Sequence, residues 1–340
     1  MSSNMLATGP LPPLMHNTTS LQAAVSGGTF GMGYSAGGFM VAYFVGVSKV
    51  LQQLGIIKVG KTKTAGSSSG GLAQLCDHPY GPSHDKFING TLTFVDYCRT
   101  SNNCVDHLDY AFQNYFLNMV DPDTPFDKNY DKRCSVYTQV LAPRNGSLLS
   151  RPQVKGTFMC KTRSLNETLE LLRTMVYVPG WSDPFKKYRT FNGVPSYDGA
   201  FVQPMPCPSN VTYCVKVLGV SPVGLKLYAK AFTQNPEYWT STLRTLGGFA
   251  TGAVHADPRS LANINFGEWF SLFTAVNPSD ADIYPNKYSK FPISPIETIA
   301  SIFTPPRPET VRALYKAGQV DALAWAKEQG WRVPAGFSVA

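Results

Sequence analysis

From Ser26 onward the chain alternates short apolar stretches with longer stripes of helical spacing, and glycine and serine punctuate the junctions. Thr29 to Tyr34 reads as a short strand ending in Ser35-Ala36-Gly37-Gly38. Phe39 to Leu54 then places Phe39, Ala42, Tyr43, Val47, Val50 and Leu51 on one face of a helix, and Gly55 stops it. The unbroken apolar run from Phe39 to Val47 marks that helix as buried. Ile56 to Ala65 leads back through a strand into Gly66-Ser67-Ser68-Ser69-Gly70-Gly71, and a second helix follows from Leu72. Strand, glycine loop, helix, strand, sharp turn, helix is a βαβ unit, and such a unit implies a parallel sheet.

Beyond it the pattern weakens. Residues 77–155 are rich in Asn, Asp, Tyr and Pro and predict helices near 104–119 among long loops. Glu167 to Tyr177 predicts a helix with Leu169, Leu172, Met175 and Val176 as its apolar stripe, and Tyr213 to Val220 predicts another strand. Helices are expected at 222–232, 236–248 and 308–329, the last opening on Pro308 and Glu309 and ending at Gly330. The first 25 residues, with Pro10, Pro12 and Pro13, read as a flexible lead-in. The expected organisation is a lead-in over 1–25, an α/β domain over 26–230 and a helical C-terminal extension over 231–340 packed on it.

Composition narrows the function. The 340 residues are 43% hydrophobic and 15% charged, as in an ordinary globular chain, and no apolar run is long enough to span a membrane. The net charge of +8 is scattered, with Lys58/Lys61/Lys63 and Lys186/Lys187/Arg189 as its densest clusters. That argues against nucleic acid as a partner. Weak attraction to an anionic lipid surface fits better, at roughly 1 kcal/mol per basic residue near the surface. Seven cysteines include the close pairs Cys98/Cys104 and Cys207/Cys214, no spacing resembles a zinc site, and the odd count leaves one thiol free. Sequons begin at Asn17, Asn89, Asn145, Asn166 and Asn210. Sequons and paired cysteines lean towards the secretory pathway or outside the cell. The absence of a clean signal peptide in the first 25 residues keeps a cytoplasmic or peripheral-membrane location open.

Three short segments carry the chemistry. Gly66-Ser67-Ser68-Ser69-Gly70 is a G-x-S-x-G, the pattern of a nucleophile elbow. Small neighbours at Gly66 and Gly70 let a strained serine, here Ser68, project its Oγ at the start of a helix. Gly37 and Gly38 lie between a strand and a helix, where backbone N–H groups point at an anion; no Gly-Lys-Ser/Thr follows to make this a phosphate loop. Asp198-Gly199-Ala200 is a turn sequence whose carboxylate serves as general base if held near the serine and desolvated.

In this order the three segments resemble the patatin-like phospholipase family, which has a glycine-rich oxyanion loop, a G-x-S-x-G elbow and, over a hundred residues later, a D-G-G/A triplet. The resemblance runs from about Gly28 to Val220 and is closest in YSAGGFMVAYFVGVSKVLQQLGI, TAGSSSGGL and YDGAFVQPMP, with ETLELLRTMVYVPGW similar to the helix and Pro-Gly turn before the family's aspartate. It implies a three-layer α/β fold with a central, mostly parallel sheet and helices on both faces. It also implies a lipid acyl hydrolase with Ser68 as nucleophile, Asp198 as proton acceptor and Gly37 and Gly38 as oxyanion donors. A lipid ester (phospholipid, galactolipid or acylglycerol) would be the substrate, met at a membrane or lipid-droplet surface, with no metal or organic cofactor. The family loop reads G-x-G-x-x-G, and here Ala36 and Val41 replace its first and last glycines.

Two rival readings follow. The altered loop motivates a catalytically impaired lipid-binding protein on the same scaffold. The order Ser68, Asp198, His255 is also that of an α/β-hydrolase triad. There the elbow normally follows several strands, whereas Ser68 follows one βα unit, so the dyad is preferred. Of the other histidines, His16 lies in the lead-in and His78, His84 and His107 in polar, loop-like stretches.

Overall fold

The structure, a computed structural model, describes residues 8–9, 17–123, 125, 132–141, 153–222 and 280–339, apart from 180, 184, 185, 187, 289, 295, 296, 299, 300 and 303. Strands β1 (Thr8–Gly9), β2 (Phe30–Tyr34), β3 (Lys63–Ser67), β4 (Arg133–Leu141), β5 (Gln153–Met159), β6 (Arg189–Phe191), β7 (Val194–Asp198) and β8 (Tyr213–Val217) form one mixed sheet. Its main path runs β1-β5-β4-β3-β2-β8. The pairings β4–β3, β3–β2 and β2–β8 are parallel, and antiparallel β5, β1, β7 and β6 extend from β4. The molecule is thus an α/β protein with a parallel sheet centre, as the βαβ pattern requires.

Among the described residues the α-helices are α1 (Leu21–Ser26), α2 (Val41–Gln53), α3 (Ser69–Ala73), α4 (His84–Thr100), α5 (Leu108–Ala111), α6 (Leu165–Met175) and α7 (Pro308–Glu328). None of them is long and apolar enough to cross a membrane. As its apolar run predicts, α2 is almost wholly buried. It packs against α7 through a reciprocal glycine contact. A Cβ on Gly46 would stand 2.1 Å from the Tyr315 carbonyl oxygen, and one on Gly318 equally close to that of Tyr43. The Tyr43 hydroxyl donates to Asp321 at 2.8 Å across this seam, and Trp325 is fully buried in the same core.

Beneath the sheet's parallel centre, the fully buried Asp77 gathers neighbouring elements. Its carboxylate accepts from the Tyr34 hydroxyl (3.0 Å), the Ser48 hydroxyl (2.7 Å) and the Gln52 amide (2.8 Å), joining the end of β2 to α2. The Arg133 guanidinium donates to the Asp77 carbonyl. Burial raises the Asp77 carboxyl pKa, and its donors and Arg133 oppose the shift. Asp77→Ala would leave the buried Tyr34 hydroxyl without its acceptor and take one partner each from Ser48 and Gln52, which keep His84, Cys76 and each other. The expected cost is about 3 kcal/mol, read as a fall in the urea midpoint, with Asp77→Asn losing less.

Several expectations need correction. The helix after the elbow begins at Ser69, not Leu72, and has five residues. The region 77–155 holds a 17-residue helix, α4, and the strand β4, where loops were expected. Near 104–119 the expected helix is present as a continuous helical stretch, α5 followed by a π-helical turn over Phe112–Phe116 and a 3₁₀ turn over Leu117–Met119. The helix at 167–177 starts earlier, at Leu165, where the Ser164 hydroxyl caps it by accepting from the Glu167 N–H. Leu171 rather than Leu169 joins its buried face. The helices expected at 222–232 and 236–248 lie almost wholly outside the described residues.

Both close cysteine pairs are bonded, Cys98–Cys104 and Cys207–Cys214, and a third disulfide joins Cys134 to Cys160. The remaining thiol, Cys76, is buried. Among the sequon asparagines, Asn17, Asn89, Asn166 and Asn210 are exposed, and Asn145 lies outside the described residues.

Candidate active site

The site gathers at the carboxyl ends of β2, β3 and β8, where ligands bind in open α/β sheets. Ser68 follows β3 directly, with φ 52° and ψ −132°, a left-handed conformation that L-residues avoid. The turn is held by contacts that admit only glycine beside it. A Cβ on Gly66 would lie 2.4 Å from the Gly71 backbone, and one on Gly70 would lie 2.3 Å from the Ser35 carbonyl oxygen. The elbow is therefore a strained, over-determined structure, not a flexible Gly/Ser loop. Because α3 is barely more than one turn, its dipole contributes little; the strain and the close backbone packing set the serine's position.

The Ser68 hydroxyl donates to Asp198 Oδ2 at 2.7 Å, across 130 residues of sequence. The other carboxylate oxygen accepts from the Ala200 N–H at 2.8 Å. The Asp198 backbone is fixed on both sides, its N–H donating to the Tyr177 carbonyl (2.9 Å) and its carbonyl accepting from the Thr138 hydroxyl (2.7 Å). Strand β7 delivers the residue by pairing Asp198 with Tyr137 of β4. Gly199 is required by packing, since a Cβ there would lie 2.1 Å from the Val136 carbonyl oxygen. Asp198 is 2% exposed. Burial pushes its carboxyl up to about 7 from an ordinary 3.8, against the opposing pull of the Ala200 N–H and the Ser68 hydroxyl. A base of that pKa is half ionised near neutrality, where proton transfer is most effective.

Gly37 and Gly38 open a 3₁₀ turn (Gly38–Met40), whose leading N–H groups have no partner within the turn. Both line the same cavity as Ser68. Gly37 is extended at φ −171°, whereas Gly38 is left-handed at φ +54°, and a Cβ on it would meet the Ile302 carbonyl oxygen at 1.9 Å. The loop is anchored before these glycines. Ser35 N–H donates to the Val217 carbonyl, and Ala36 N–H donates to the Pro204 carbonyl at 2.7 Å. Ala36 and Val41, the two non-glycine positions of the loop, have local explanations. Ala36 uses its N–H as an anchor, and Val41 has ordinary helical angles (φ −50°, ψ −35°) with its side chain on the cavity wall.

The cavity encloses about 1110 Å³ of empty space, its open mouth included. Its walls are apolar, with Phe94, Phe112, Phe116, Val176 and Trp181 facing the Ser68–Asp198 pair. The π-helical turn brings Phe112 and Phe116 into a stack with centroids 4.8 Å apart. An ion-pair cluster braces this wall: Arg173 grips Asp109 of α5 with two bonds of 2.8 and 3.0 Å, and Arg189 of β6 bonds both Asp109 and Glu170.

Of the residues singled out in the sequence, Ser68, Asp198, Ala200, Gly37 and Gly38 line one cavity, and Gly66, Gly70 and Gly199 support it by packing. His255 and His16 lie outside the described residues. Of the other histidines, His78 and His107 fall in a bend and a turn as expected, and His84 is corrected in position. His78 is buried beside the elbow helix's end, His84 opens α4 and His107 caps α5; none lines the cavity. Sequence reasoning missed the aromatic wall, and also Thr138 and Tyr177, which hold the Asp198 backbone. Phe112 and Phe116, four apart in an aromatic-rich segment, were the available signal for the wall. No protein-family profile matches the chain, and no curated protein matches it.

Proposed function

We propose that the protein is a lipid acyl hydrolase of the patatin-like type, working through a Ser68–Asp198 dyad. The observation that carries the reading is the 2.7 Å hydrogen bond from a strained, buried serine to a desolvated carboxylate at the floor of an apolar cavity. Asp198 takes the Ser68 proton as Oγ attacks the ester carbonyl, and the Gly37 and Gly38 N–H groups receive the developing oxyanion. Asp198 returns the proton to the leaving alcohol, and water then hydrolyses the acyl-enzyme with Asp198 again as base. The aromatic wall suits an acyl chain, and the scattered positive charge suits contact with an anionic lipid surface. A three-layer patatin arrangement belongs to this reading. Three disulfides and four exposed sequon asparagines support an oxidising compartment for it.

A triad places an imidazole between serine and carboxylate, and here the two are in direct contact. The impaired-scaffold reading drew its force from Ala36 and Val41, and both side chains fit the loop without displacing Gly37 or Gly38.

The test is a pH profile. On a soluble nitrophenyl ester, kcat/KM is expected to rise tenfold per unit at low pH and to level off above about 7, as Asp198 ionises. Stability runs the opposite way. The folded carboxyl holds its proton more tightly than the unfolded one, so this group penalises folding increasingly from pH 3.8 to about 7. Asp198→Asn is therefore expected to lose activity yet raise Tm above pH 7. A flat rate profile between about pH 5 and 9 counts against Asp198 as the base.

A further inference from the structure

The aromatic wall of the cavity is drawn from two neighbouring segments, and one covalent bond ties them together. Phe94 reaches the cavity from α4, whereas Leu108 of α5 and Phe112 and Phe116 of the π-helical turn reach it from the segment that follows. Cys98 stands one helical turn beyond Phe94 and is bonded to Cys104, four residues before Leu108. Both cysteines are fully buried, and neither lines the cavity. The same two segments meet again through their rings, Phe94 lying edge-on to Phe112 and Phe116 with centroids 6.3 and 5.7 Å away.

The link between them is not a relaxed turn. Asn102, Asn103, Cys104 and Asp106 all have positive φ, from 47° to 71°. Asparagine and aspartate tolerate that region, but cysteine has no such preference, so Cys104 stays at φ 57° only where its surroundings hold it. The disulfide, closing a separation of six residues, is the covalent part of that hold. Just beyond, the Leu108 and Asp109 N–H groups donate to the Trp181 and Ser182 carbonyls at 3.4 and 3.2 Å, and Trp181 belongs to the same wall. Where this link sits therefore decides where Leu108, Phe112 and Phe116 stand relative to Phe94.

The disulfide Cys207–Cys214 supplies the contrast. It closes a separation of seven residues, and neither of its cysteines lines the cavity. Loops so close in length constrain the unfolded chain to a similar degree, so removing either disulfide should lower Tm comparably. Only Cys98–Cys104 joins two segments of the wall.

We propose that Cys98 and Cys104 are positioning residues, whose disulfide fixes the aromatic wall and thereby sets a preference for longer over short acyl chains. The inference rests on the acyl-hydrolase reading. A longer acyl chain lies along the wall and gains with each methylene it buries, whereas an acetyl group is too short to use it. Because the cysteines act through the wall, their effect falls on KM for the longer ester and leaves the chemistry at Ser68 in place.

The experiment measures kcat and KM on nitrophenyl octanoate and nitrophenyl acetate, with Tm and fluorophosphonate labelling of Ser68. It compares wild type, Cys98→Ala/Cys104→Ala and Cys207→Ala/Cys214→Ala. Wild type is expected to favour the octanoate in kcat/KM. Loss of Cys98–Cys104 should lower the octanoate-to-acetate ratio roughly tenfold, through KM for the octanoate, with Ser68 still labelled. Loss of Cys207–Cys214 should lower Tm by a similar amount and keep the wild-type ratio. Cys104→Gly guards against an alanine pair that does not fold. It breaks the same bond while glycine takes up φ 57° freely, so it should lower the ratio equally at a smaller loss in Tm. No octanoate preference in wild type, an unchanged ratio in Cys104→Gly, or an equal fall in Cys207→Ala/Cys214→Ala overturns the proposal, while a labelled wild-type Ser68 leaves the hydrolase reading standing. A wild type that neither labels nor turns over ester overturns both.

Discussion

Ser68→Ala is expected to lower ester turnover by about 10⁴-fold or more while leaving the fold intact. In the proposed mechanism the side chain supplies the attacking atom, and among the described residues no other hydroxyl on the cavity wall bonds to a carboxylate. The proposed mechanism makes serine and aspartate one unit, so Asp198→Asn in the Ser68→Ala background should cost nothing more. Single and double variants should fall to the same floor, whereas independent roles would multiply. The elbow's strain gives a companion result. At φ 52° alanine inherits the left-handed conformation, while glycine adopts it freely. Ser68→Gly should therefore be as inactive as Ser68→Ala yet more stable by about 1 kcal/mol in chemical denaturation. Equal stability of the two would show that the turn carries no strain.

The second large effect falls on Gly38. Gly38→Ala adds a methyl group at φ +54° and drives it to 1.9 Å from a backbone oxygen, that of Ile302, which no rotamer change can move. The loop must shift, and with it the N–H groups that meet the oxyanion in the proposed mechanism. Loss of an oxyanion donor costs about 10²–10³ in kcat, and the left-handed alanine adds roughly 1–2 kcal/mol of destabilisation. Gly37→Ala is the milder partner. Its φ lies near 180°, and the added Cβ meets side chains alone, the edge of the Phe44 ring at 3.1 Å and Met40 Cβ at 3.4 Å. Equal losses in the two variants would mean that the loop's glycines serve flexibility, not position. A kcat in Gly38→Ala within a few-fold of wild type would remove that glycine from the oxyanion site.

What could be read from the sequence follows from where each constraint acts. The elbow, the Gly37-Gly38 turn and Asp198-Gly199 are tight turns whose glycines stand at fixed offsets in short segments, although most of the backbone they approach (Ser35, Val136 and Ile302) is distant in sequence. The buried helix α2 was equally plain because nearly every position of it is covered. By contrast α4 was hidden. Phe87, Thr91, Phe94, Val95 and Cys98 do form a stripe behind the Ser83 cap, but Gly90 and the helix's many polar residues dilute it. Strand β4 shows no alternation, because most of it is buried on both faces, and the fully buried Arg133 breaks any apolar run. The aromatic wall was out of reach for another reason. Phe94, Phe112 and Trp181 arrive from separate elements, and only the tertiary fold brings them to one cavity. Short cysteine loops were visible as pairs, whereas Cys134–Cys160 depends on β4 and β5 lying side by side.

The most direct measurement is the site of covalent capture. After reaction of the whole protein with a fluorophosphonate at neutral pH, peptide mass spectrometry is predicted to find the phosphonyl adduct on Ser68. The adduct should be lost in Ser68→Ala and strongly slowed in Asp198→Asn. A protein that stays unmodified, or an adduct on any other serine, would contradict the account.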